Sequence, residues 1–242
     1  MKRPFLPACL LMLLAILPMR MMRQSVADAG FQPAPFSSPL LQAEFHTSGD
    51  DVLALYGAEN SDDRKERTDA MRQAHRYDNL FLCIYGLFLA LFAVGGFRLT
   101  RKKYFLVLIA LALLAACADF FENYTIVQIT YALDNRATDF SLHLGWLATY
   151  TWLKWLSLAA YFGLLMRFFC EAADWGNVGN WVGKILAGAC MLTLLAALLA
   201  FGMRTARWEN WMAQAITVLF AGLFLFGLFF RKKNGVGSKV SA

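Results

Sequence analysis

Ala118-Asp119-Phe120-Phe121-Glu122-Asn123 interrupts an apolar segment that opens at Tyr104 and runs to about Val127. Read as a helix in lipid, the segment brings Asp119, Glu122 and Asn123 (spacing i, i+3, i+4) onto one polar patch of an otherwise greasy cylinder. On an insertion scale a charged residue such as Asp at a helix centre costs about 2.5–3.5 kcal/mol, whereas each Leu, Ile, Phe or Val returns only about 0.3–0.6. Two acids cancel most of what this helix gains from lipid, so they require partners on neighbouring helices.

The rest of the chain supplies the neighbours. Hydrophobic residues are 59% of the 242 and charged residues 17%, a balance suited to lipid-facing helices and unsuited to a soluble domain of this length. A span takes about 20 apolar residues, which leaves room for about six. The fold class expected is an all-α membrane protein, a bundle of about six transmembrane helices with a small extracytoplasmic segment between the first two. The net charge of +6 does not indicate nucleic acid, because the cations sit in short loops beside the spans.

Residues 1–23 form a basic start (Lys2, Arg3) and an apolar run from Phe5 to Met19. Two readings stand: an uncleaved first helix, favoured by Arg20 and Arg23 lying before any cleavage site, or a signal peptide cut near Ala27-Asp28-Ala29. Residues 24–77 are the extended polar segment. Pro33, Pro35 and Pro39 open it irregularly, Ser48 and Asp51 resemble a capping box for a short helix over Val52 to Tyr56 that Gly57 closes, and the charged stretch Asp62 to Arg76 reads as a solvated helix leading into the second span. Residues 78–230 then hold five spans, at about 78–97, 104–127, 142–169, 182–203 and 211–230. Arg98, Arg101, Lys102 and Lys103 mark a cytoplasmic loop, as Arg231, Lys232 and Lys233 mark a cytoplasmic tail over 231–242.

The fourth span offers the counter-charge. His143, Tyr150, Lys154, Ser157 and Tyr161 recur at spacings of seven, four, three and four, one stripe along a helix. Asp78 and Tyr85 share a face of the second span. These residues predict an intramembrane cluster in the outer half of the bundle, with Asp119 and Glu122 facing Lys154, and Asn123, Asp78, Tyr85, Tyr150 and His143 as hydrogen-bonding neighbours. Gly179, Gly183 and Ala187 read as a close-packing stripe, Gln214 and Thr217 as a face able to hydrogen-bond a neighbour, and the Phe220 to Phe230 run as lipid-facing. The five cysteines are singletons that read as small core residues. No catalytic, cofactor-binding or metal-binding motif is present: there is no H-E-x-x-H, G-x-S-x-G or P-loop, and no pair of intramembrane histidines.

Asp78, Phe81 and Tyr85, then Ala118-Asp119 with Glu122-Asn123, then Lys154-Trp155, resemble D-x-x-F-x-x-x-Y, A-D-x-x-E-N and K-W elements of bacterial multipass membrane proteins of unassigned function. The resemblance covers about residues 76–169. It implies an arrangement of polar residues in a bacterial inner membrane and supplies no chemistry. Three classes of function follow from the sequence: a non-catalytic protein for assembly or for binding a lipid or small ligand in the outer half of the bundle, a small proton-coupled transporter, or an enzyme acting on a lipid through a carboxylate. The lipid bilayer is the partner common to all three.

Overall fold

Long apolar runs separated by short polar breaks leave the backbone one way to satisfy itself in lipid, and every regular element among the described residues is a helix. The structure is a computed structural model describing residues 3–31, 35–57, 63–137, 139–172 and 177–230, with the backbone alone at 172 and 177–180. Its helices are α1 (Leu6–Leu13), α2 (Ile16–Ala27), α3 (Pro39–Glu44), α4 (Gly49–Tyr56), α5 (Asp63–Thr100), α6 (Tyr104–Asp134), α7 (Ser141–Ala172), α8 (Asn177–Met203) and α9 (Ala206–Phe229). Six stretches are long and apolar enough to cross a membrane: α1 with α2 together, then α5, α6, α7, α8 and α9. The six-helix expectation therefore stands, while the tail cations Arg231, Lys232 and Lys233 lie outside the described residues.

Each span packs on the next, α5 on α6, α6 on α7, α7 on α8 and α8 on α9, and α1 closes the ring against both α5 and α9. One end of this ring carries the basic loop Arg98 to Lys103; the other carries α3 and α4 as a cap. At the basic end Phe5 is fully buried, stacked 4.4 Å from Phe92 and within 6.0 Å of the rings of Phe168, Phe226 and Phe230. Two glycines make that close approach possible. A Cβ on Gly95 would stand 2.8 Å from the Pro4 carbonyl oxygen, and one on Gly227 would stand 2.6 Å from Cys9 Sγ. Phe226 is thus core, and Phe220 meets Tyr85, Phe88 and Phe162, which corrects the lipid-facing reading of this run; of its phenylalanines Phe229 alone is strongly exposed. Cys9 and Cys190 are buried as expected, but Cys83, Cys117 and Cys170 face outward.

The spans reach further at the capped end than their hydropathy suggests. At 1.5 Å per residue the 38 residues of α5 extend about 57 Å, nearly twice a hydrocarbon core of about 30 Å. The charged stretch before Asp78 is the start of this helix, and it is not simply solvated: Arg64, Arg67, Thr68 and His75 are buried. Arg67 donates to the Gly30 carbonyl at 2.8 Å, tying α5 to the end of α2, and Arg72 pairs with Asp134 at the end of α6 at 2.6 Å. Similarly α6 runs to Asp134, a full two turns beyond Val127.

The cap is built by local chemistry. Ser48 and Asp51 form the capping box of α4, Asp51 Oδ2 accepting from the Ser48 amide at 2.9 Å and Ser48 Oγ from the Asp51 amide at 3.2 Å. The helix starts at Gly49, earlier than the apolar pattern indicates, and ends at Gly57 with φ of 98°. His46, between α3 and α4, is 3% exposed, and burial lowers it to about 4 although Asp51 opposes the shift. An unfolded His titrates near 6.5, so between those values the unfolded segment binds more protons and the cap loses stability as pH falls. Hydrogen exchange over residues 39–57, corrected for its intrinsic pH dependence, should show protection falling by roughly 2 kcal/mol between pH 7 and pH 5. His46→Phe should flatten that profile; equal slopes in the two proteins would remove His46 as the cause.

Candidate functional site

Lys154 carries three hydrogens and has three carboxylates to receive them. Its Nζ lies 3.1 Å from Asp119 Oδ1 and 2.9 Å from Glu44 Oε2, and it also bonds Glu122 Oε2. Its side chain is 6% exposed and that of Glu122 is fully buried. Thr151, one turn before Lys154 on α7, contacts Glu122 Oε1 and sits 3.0 Å from the backbone carbonyl of Glu44; its single hydrogen serves one of the two. Tyr85 on α5 donates to the other oxygen of Asp119 at 2.7 Å.

A second arm of the network runs along α5. Asn123 donates to Asp78 Oδ2 at 2.7 Å and to Asn79 Oδ1 at 3.2 Å, while its own carbonyl oxygen lies 2.8 Å from His75 Nδ1. An amide oxygen only accepts, so the proton is on Nδ1, and Nε2 of this buried histidine has no partner among the described residues. Asn123 is 1% exposed and engaged on both sides of its amide, which leaves the Asn123-Tyr124-Thr125 sequon inaccessible.

The structure thus brings together Asp119, Glu122, Asn123, Lys154, Asp78 and Tyr85. It does not bring in Tyr150 or His143. Tyr150 stacks at 5.3 Å on Phe121 and at 5.7 Å on Trp146, both outward-facing rings, because the inward face of α7 passes through Leu147, Thr151, Lys154 and Leu158. The stripe drawn at spacings of seven and four drifts off that face above Lys154. His143 is half-buried a further two turns along and joins none of the network's hydrogen bonds. Glu44, His75, Asn79 and Thr151 are members the sequence did not assign to the cluster, and Trp155 entered only through the K-W resemblance. Thr151 was legible as a polar residue one turn from Lys154; Glu44 was not, since it sits on a six-residue helix of the polar segment with nothing in its spacing to direct it inward.

Glu44 is where the network meets the surroundings. Trp155 Nε1 donates to Glu44 Oε2 at 3.1 Å, so both side-chain bonds to this carboxylate fall on one oxygen. Burial pushes the Glu44 carboxyl up, against the lowering pull of Lys154. Glu44 and Trp155 line a cavity of about 490 Å³ between α3 and α9. Through Ser37 and Gln214 this chamber adjoins one of about 440 Å³ holding Arg207 and Asn210; through Thr217 it adjoins an apolar one of about 280 Å³ between α9 and the first span, with Met12, Ile16, Phe81 and Phe220 in its walls. The three form one groove along α9, polar toward the cap and apolar toward the basic end. It opens there because α1 packs on α9 whereas α2 leans on α5.

At 1.5 Å per residue, Tyr85 and Asp119 stand about 22 Å from the basic-end termini of α5 and α6, which places the network toward the capped boundary of a core about 30 Å thick. Fold and site together define an integral membrane protein with a buried ionic network beside a lateral groove. No protein-family model, curated protein or solved structure matches the chain.

Proposed function

We propose that this protein is a non-catalytic membrane protein that binds an amphiphile in the groove along α9. The carrying observation is the polarity gradient of the three adjoining chambers, from Arg207 and Asn210, through Glu44 and Trp155, to Met12, Ile16 and Phe220. Pockets with mostly apolar walls and a few convergent polar groups are the usual form of a small-ligand site. The network's part is to hold the wall: Lys154 has all three hydrogens engaged, and it anchors Glu44 of α3 to the bundle. Neither Asp119 nor Glu122 lines any of the three chambers, which supports binding over proton transfer or carboxylate catalysis.

The cations from Arg98 to Lys103 support a cytoplasmic position for the basic end and the C-terminus, with the cap and the polar mouth of the groove on the extracytoplasmic side of a bacterial inner membrane. Phe5 in the aromatic core supports retention of the first span. Reconstituted protein should show a motionally restricted component in the electron paramagnetic resonance spectrum of a doxyl-labelled single-chain amphiphile. Val218→Trp, which fills the middle chamber from an exposed position, should remove most of it, and Ile185→Trp on the outer face of α8 should not. Equal spectra from the two variants would overturn the binding reading.

A further inference from the structure

We infer that the amphiphile held in this groove carries an ammonium head, seated on the Glu44 oxygen that Lys154 and Trp155 leave open. The inference rests on the binding reading above. Glu44 Oε1 accepts from no described residue, and the side chain, 16% exposed, lines the middle chamber. Behind it the hydrogen-bonded network contains four carboxylates, Glu44, Asp78, Asp119 and Glu122, and one ammonium, Lys154, whose hydrogens are all used. The open Glu44 oxygen accepts a hydrogen bond from an ammonium, whereas phosphate, sulfate and carboxylate heads bring only further acceptors to it.

The remaining polar groups of the chamber fit the same head. Ser37, Ser38 and Gln214 offer oxygens for the ammonium hydrogens that Glu44 does not take. Arg207 lines the outer chamber and not the one that Glu44 lines, and Glu44 Oε1 receives no bond from it. The order along α9 places the ammonium next to the chain: the apolar chamber begins at Thr217, which also borders the Glu44 chamber. From Gln214 to Phe224 the helix rises about 15 Å, the reach of a single saturated chain of moderate length.

Dodecylammonium, dodecanol and dodecanoate share a chain and differ in the head. Each is titrated against the doxyl-labelled amphiphile on protein in phosphatidylcholine bilayers and compared at equal bilayer-bound concentration. Dodecylammonium should displace the label at a concentration about tenfold or more below dodecanol, as a charge-assisted hydrogen bond requires, with dodecanoate weakest. Glu44→Gln, which keeps an acceptor for Trp155, should collapse the amine-to-alcohol ratio to about one. Dodecanol matching dodecylammonium on the wild-type protein, or Glu44→Gln retaining the ratio, would overturn the ammonium head while leaving the groove as a binding site. Failure of all three to displace the label would overturn the binding reading and the inference with it.

Discussion

Lys154→Met should cost the protein about 3–5 kcal/mol, seen as a large loss of monodisperse protein in detergent and a lowered melting temperature. The reason is the count of partners. Asp119, Glu122 and Glu44 all direct an oxygen at Lys154, and Glu122 is fully buried, so removing the ammonium leaves three carboxylates facing one another with no counter-charge. Removing only one acid would not restore the balance: Asp119→Asn in the same chain leaves Glu122 and Glu44 in place. Recovery should require Lys154→Met with Asp119→Asn, Glu122→Gln and Glu44→Gln together, a set that replaces all three ion pairs by neutral groups of similar volume. A single Lys154→Met variant melting with the wild type would show that the network does not hold α3, α6 and α7 together.

Phe5→Ala is the second large effect expected, about 2–3 kcal/mol from a cavity of about 100 Å³ at ~24 cal/mol per Å³. In lipid there is little hydrophobic drive between helices, so packing carries the association and a lost ring is not compensated. Phe5 touches α5, α7 and the end of α9 through Phe92, Phe168, Phe226 and Phe230. Leu14→Ala, at a position 61% exposed in the break between α1 and α2, should change the melting temperature little. Similar losses in the two variants would mean that the first span is merely attached to the bundle and does not form part of its core.

Much of the site was legible because charge in lipid has few solutions. The i, i+3, i+4 patch at Asp119, Glu122 and Asn123 demanded partners, and Lys154 and the Asp78–Tyr85 face were the partners within reach of adjacent spans. What escaped has physical causes. Glu44 reaches the network from a segment whose composition looks solvated, and only the folding of α3 back onto α7 makes it a ligand of Lys154. Tyr150 was misplaced because side chains four apart lie about 40° apart around a helix, enough to carry one residue off a narrow buried face. The end of the third span was misplaced because hydropathy marks where lipid ends and not where the helix does: residues 128–134 continue α6, held by Arg72–Asp134 and by packing under α4, while the helix expected before Asp78 buries Arg64, Arg67 and His75 and is not simply solvated. The groove, finally, is a product of helix divergence between α2 and α9, which no spacing in the chain encodes.

The central claim is that α9 and the first span enclose a lateral groove whose head end is Glu44. A dodecylamine carrying a diazirine on its chain, irradiated on protein reconstituted in lipid and mapped by peptide mass spectrometry, tests it most directly. Label concentrated on residues 12–19 and 213–224, and reduced there by Val218→Trp, is the result predicted. Label spread equally over the outward face of α8, around Ile185 and Leu192, would contradict it.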